Sequence, residues 1–309
     1  MWEDNRALKR IYAALLSHKT KERFEHLIIF LSMGCFVLHL LVLLYNHREG
    51  AQLTEALYTP FTIILIYEVY LLVYYLRKSI IEYIGKQYEI ITLILIRSVF
   101  EDLAYHKYGF QPLTEAGVAF MVKIAGICGL FVLVWLFYRI AASLRLKQPV
   151  AHSRKRASRQ FLTIKKTMSV LLIAVFVALL LYSVVHAVAD TSSFESFFVL
   201  LKKMNHVFYA SFFTTLILSE VFLLLVTMFF TDDFGIIMRN SAFIISTTLL
   251  KIAFGEGPLA FTCVIVLAVG FGVGMLAIYR LYEKALSHAQ GLQLAEIKTT
   301  VKHDKRTAK

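Results

Sequence analysis

Residues Phe61-Thr62-Ile63-Ile64-Leu65-Ile66-Tyr67-Glu68-Val69-Tyr70-Leu71-Leu72 form an apolar run with a single carboxylate at its centre. The pattern returns as Phe213-Thr214-Thr215-Leu216-Ile217-Leu218-Ser219-Glu220-Val221-Phe222-Leu223-Leu224, and Glu220 takes the place that Glu68 holds in the first copy. Each run belongs to a stretch long enough to cross a bilayer, for which about 20 apolar residues suffice. A carboxylate at the centre of such a helix costs about 2.5–3.5 kcal/mol on insertion scales. Two acids at matching places in two such runs therefore mark sites that need partners.

Outward from these runs, hydrophobic residues make up 58% of the 309-residue chain and charged residues 17%, with a mean hydropathy of +0.66. That is too little charge to cover the surface of a soluble domain of this length, so a multi-pass membrane protein is expected. Cys35, Cys128 and Cys263 all fall inside apolar runs without metal-ligand spacing, and read as small core residues. The formal charge of +12 lies beside the apolar runs. This suits topology control and anionic lipid headgroups, with no nucleic acid partner expected.

In chain order, 1–26 carries Ala7, Leu8, Ile11, Tyr12, Leu15 and Leu16 at helical spacing among charges, which predicts a cytoplasmic interfacial helix. Spans are predicted over about 27–45, over about 59–76 with Thr59-Pro60 at its start, and over about 117–141. A weaker segment at 84–104 carries Glu89 and Arg97. The linker at 142–167 holds Arg154, Lys155, Arg156 and Arg159 among its basic residues. No acid occurs between Glu115 and Asp190, so the linker is assigned to the cytoplasm, with these residues facing lipid headgroups. The second half repeats the plan at about 168–189, 208–230, 235–254 and 258–282, and a basic tail, expected to be partly disordered, follows from 283.

The echo extends beyond the glutamates. Ile90-Ile91-Thr92 aligns with Ile244-Ile245-Ser246, which puts Arg97 on Lys251, and Tyr138-Arg139-Ile140 aligns with Tyr279-Arg280-Leu281. Apolar residues match anywhere, but Thr, Glu, a basic residue and Tyr-Arg recurring in order argue for a tandem repeat. With N-terminus, linker and tail all basic, each half crosses an even number of times. The expected fold is all-α and polytopic, with about eight transmembrane helices in two parallel four-helix repeats. Repeat A covers 27–141 and repeat B 168–282, and both termini face the cytoplasm.

Tyr67-Glu68-Val69 in span two, an Ile-rich span three reaching Arg97 and a leucine-rich span four ending at Arg139 are similar to the bacterial phosphate-starvation-inducible E (PsiE) family of four-span proteins. The likeness covers most of each half. This chain departs from it in being duplicated and in carrying Ser219 and Lys251 where the first half has Tyr67 and Arg97. The resemblance implies a bacterial inner (plasma) membrane protein, and carries no molecular activity with it.

Counted from the cytoplasmic surface, Glu68 and Arg97 fall at similar depth, as do Glu220 and Lys251. Two intramembrane charge pairs are therefore expected, Glu68–Arg97 and Glu220–Lys251. Arg97 also has Glu101 one turn away, a competing partner that Gly255 removes from the second copy. Each pair either locks a bundle together or serves permeation. His39 and His186, both in first spans, are candidates for a proton relay or a haem pair, and the simpler reading is a histidine bonded to a neighbouring helix. Lys123 is read as snorkelling outward. No phosphate loop, zinc pattern or His-Glu-x-x-His signature is present, and no soluble domain is large enough for catalysis, so neither cofactor nor metal nor enzymatic activity is expected. Two functions lead, ahead of a membrane-embedded redox enzyme that would rest on the two histidines alone. One is a channel or secondary transporter for a small ion or solute. The other is a non-transporting scaffold or stress-response component that binds a partner membrane protein, a second copy or anionic lipid.

Overall fold

The computed structural model describes residues 14, 16–45, 56, 58–76, 78–105, 114–145, 155–189, 194–230 and 232–307, with the backbone alone at 58, 62, 101, 104–105, 145, 155–162, 180, 183–184, 186–189, 194–210 and 289–307. Within them lie eight long helices: α1 (His18–Tyr45), α2 (Tyr58–Leu76), α3 (Ile80–Tyr105), α4 (Glu115–Arg145), α5 (Lys155–Ala189), α6 (Phe194–Phe230), α7 (Phe234–Ala253) and α8 (Pro258–Thr307). Local chemistry sets their starts. Ser17 Oγ accepts from Thr20 N ahead of α1, Thr114 Oγ1 from Gly117 N ahead of α4, and Asp233 Oδ1 from Gly235 N and Ile236 N ahead of α7. Pro258 takes the first turn of α8, where its missing N–H costs nothing.

Six helices, α1, α2, α4, α6, α7 and α8, are long and apolar enough to cross a membrane. The packing is inside-out relative to a soluble protein. Phe30, Leu41, Phe131, Trp135, Leu218, Leu225, Leu267 and Leu281 are exposed, while Glu68, Gln87, Arg97, Glu220, Arg239 and Asn240 are buried. An apolar exterior around a polar interior is what a bilayer selects, because lipid solvates the outside and only protein can satisfy the inside. The chain is a multi-pass membrane protein in contact with lipid.

Helix α3 explains its own weak hydropathy. It packs against α2, α4, α7 and α8, and buries Tyr83, Ile84, Gln87, Tyr88, Ile91, Thr92 and Leu95. A helix screened from lipid by its neighbours can carry polar residues as long as those neighbours pair them. Tyr88 Oη lies 2.8 Å from Ser246 Oγ, which itself donates to Ala268 O at 2.7 Å, so Tyr88 is the donor in a joint of α3, α7 and α8. Gly272 makes room for that joint, since a Cβ there would run into Tyr88 Oη. Helices α4 and α8 pack along each other, with Gly126 against the Thr262 methyl group.

Several boundaries differ from the sequence reading. Residues 18–26 continue into the first span as one helix, whereas 1–13 lie outside the described residues. The tail is helical through Thr307, as an unbroken extension of α8. The basic linker is partly helix: α4 runs to Arg145 and α5 starts at Lys155, so Lys155, Arg156 and Arg159 sit in the opening turns of α5 and Arg154 lies outside the described residues. Cys128 and Cys263 are exposed on the apolar exterior, not in the core. Lys123 does not reach outward: it is buried and its Nζ bonds Asp102 Oδ2 at 2.6 Å, joining α4 to α3.

Candidate functional site

Glu220 sits in α6 about 15 Å from Phe230, at 1.5 Å per residue, and is buried. Its Oε1 accepts from Tyr83 Oη at 2.7 Å and from Gln87 Nε2, both on α3. Gln87 Nε2 also donates to Tyr83 Oη at 2.9 Å, and Gln87 Oε1 accepts from Thr247 Oγ1 of α7 at 3.1 Å. The spacing of Tyr83 and Gln87, one helical turn apart, aims both donors at one oxygen. These bonds join α3 of the first half to α6 and α7 of the second.

The other oxygen, Glu220 Oε2, has no hydrogen-bond partner among the described residues, and neither does Asn240 Nδ2. Both side chains are more than nine-tenths buried, at 6% and 3% exposure, and both line one cavity of about 30 Å³. Leu76, Ile80, Tyr83 and Phe243 close it on other sides, which puts it just beneath the α2–α3 turn. Asn240 Oδ1 accepts from Arg239 Nε at 3.2 Å and Nη2 at 3.0 Å, which fixes the amide with its NH2 free. Arg239 in turn lies over the Tyr279 ring at 4.7 Å.

The structure brings some of the expected residues together and separates others. Glu68 and Arg97 are both buried and within electrostatic reach of each other. The side chain of Glu101 lies outside the described residues. Glu220 does not face Lys251. Arg239, a basic residue that could pass for a marker of the membrane surface, is buried in the second turn of α7, so depth along this helix counts from Phe234. Lys251 consequently falls in the last turn of α7, roughly 25 Å from Phe234 by helical rise. His39 is buried and its Nδ1 lies 2.6 Å from Thr59 Oγ1 of α2, the bond to a neighbouring helix. The side chains of His186, Lys155, Arg156 and Arg159 lie outside the described residues. No group of three metal-ligating side chains occurs among the described residues.

Tyr83, Gln87 and Asn240 escaped the sequence reading. Each is an ordinary polar residue near a helix end, and its partner is distant in the chain, 137 residues away for Tyr83 and 133 for Gln87. A Tyr and a Gln one turn apart in a segment too polar to face lipid was the signal that could have found them. Compared with family models, with curated proteins and with solved structures, the chain has no match.

Proposed function

We propose that the protein is a channel or secondary transporter for a small ion, most simply the proton, with Glu220 as the group that takes up and releases it. The observation that carries this reading is the unequal treatment of one buried carboxylate: Oε1 is clamped by Tyr83 and Gln87, while Oε2 is left facing a cavity. A carboxylate meant only to lock helices would have both oxygens paired, because an unmade buried bond is costly. A cavity of about 30 Å³ gives room for water molecules beside Oε2, which favours protons over larger solutes.

On this reading the chain crosses eight times as two parallel repeats, with α3 and α5 as the remaining crossings and the linker cytoplasmic. Contacts between the halves support the repeat. Helix α2 meets α6, α3 meets α7 and α4 meets α8, three pairs of helices that hold matching places in the two halves. A bacterial inner membrane and kinship with PsiE proteins belong to the same proposal and rest on sequence alone.

Reconstitution into liposomes with a trapped pH dye and an imposed potassium diffusion potential tests it. Wild-type protein is expected to pass protons, and Glu220→Gln to pass them about a hundredfold more slowly. Equal rates for the two proteins would refute the assignment. Absence of flux for any ion would favour a scaffold that binds anionic lipid, for which one collar speaks: Lys78 lies over the Tyr74 and Tyr75 rings, Lys86 over Tyr75 and Lys21 over Tyr74.

A further inference from the structure

We infer that the cavity beside Glu220 is a water-binding site, in which a water molecule bridges Glu220 Oε2 to Asn240 Nδ2 and carries the proton between Glu220 and the linker-side surface. The role in proton movement rests on the function proposed above; the water site stands apart from it.

Complementarity identifies the occupant. The cavity presents one unpartnered acceptor and one unpartnered donor, both buried. A cation would be repelled by the Asn240 N–H groups, and an anion by the carboxylate. A neutral molecule that both donates and accepts satisfies the two at once, and a cavity of about 30 Å³ has room for water. The same water serves both states of the acid. When Glu220 is ionised, the water donates to Oε2 and accepts from Asn240. When Oε2 is protonated, the water accepts from both.

Proton release then breaks the Oε2–H bond and forms an O–H bond on the water, giving a hydronium and a carboxylate. The extra proton leaves past Leu76 and Ile80, beyond which Lys78 and Ser79 are exposed. Tyr83 and Gln87 keep bonding Oε1 and stabilise the charge left behind. Arg239 acts as a positioning residue: its two bonds to Asn240 Oδ1 turn the amide so that the donor faces the cavity.

Infrared difference spectroscopy of the full-length protein in lipid nanodiscs, stepped in pH and transferred to D2O, reads the site directly. Glu220→Gln assigns the carboxylic C=O band. In wild type that band is expected to shift in D2O as soon as buffer is exchanged. In Asn240→Leu, which removes the donor and fills the space, deuteration is expected to slow by about tenfold or more, with proton flux slowed alongside. Ile244→Phe fills the cavity from an apolar wall and is expected to do the same, which keeps the test decisive if Asn240→Leu does not fold. Unchanged exchange in a folded variant overturns the water site. Slowed exchange in a protein that passes no protons leaves the water site standing and overturns the transport reading.

Discussion

At Glu220, satisfaction and availability for chemistry are divided between the two oxygens of one carboxylate: one is held and the other is available. Tyr83→Phe removes a donor from a buried carboxylate without changing packing volume, and is expected to cost about 1–3 kcal/mol, read from thermal unfolding in detergent. Lys165 offers a separate handle outside the spanning stretch. Its Nζ donates to Lys78 O at 3.0 Å, closing the end of α2. Burial, with the charge of Arg239 nearby, pushes its ammonium down to about 8 from an ordinary 10.5. Across that window the unfolded chain binds more protons than the folded one, so stability is expected to rise as pH increases from about 8 to about 10.5. Lys165→Met is expected to flatten that rise, as unfolding midpoints on either side of the window will report. Both glutamates were legible in the sequence because an acid in an apolar run stands out. Their surroundings were not, because a hydrogen bond across the bundle leaves no local trace.

At the level of helices, α3 reads as a weak span in sequence, and burial accounts for its polarity. Gly272 in α8 lies against Tyr88 of α3, and Gly274 two residues on has nothing within 4 Å of the place a Cβ would occupy. Gly272→Ala is therefore expected to destabilise by about 1–3 kcal/mol by displacing Tyr88 from Ser246, whereas Gly274→Ala stays within about 0.5 kcal/mol. Unfolding midpoints of the two variants side by side check this, and equal midpoints would count against the joint. Sequence periodicity located the cores of the helices but not their ends. Arg239 shows why: a basic residue is a good marker of the membrane surface only when nothing inside pairs it, and Asn240 and the Tyr279 ring do.

For the molecule as a whole, composition alone was enough to announce a membrane protein, since 58% hydrophobic residues exceed what a core can hide. The sides of the helices that meet lipid could not be told from the sides that meet each other, because both are apolar. Cys128 and Cys263 illustrate this, being exposed where core positions were expected. Both are expected to resist a charged, water-soluble maleimide in intact membranes and to react after unfolding in detergent. Labelling in the intact membrane would mean that water, not lipid, bathes those faces.

Among the described residues the clamp on Glu220 occurs once. Tyr83 and Gln87 align in the second half with Ile237 and Ser241, neither of which can reproduce it. On the tandem-repeat reading, a self-paired copy of the first half would own two such clamps, each closing on the other's Glu68. With a single clamp kept on that reading, and Glu220 as the uptake group proposed above, ion uptake is expected to follow a simple hyperbola with a stoichiometry of one per polypeptide.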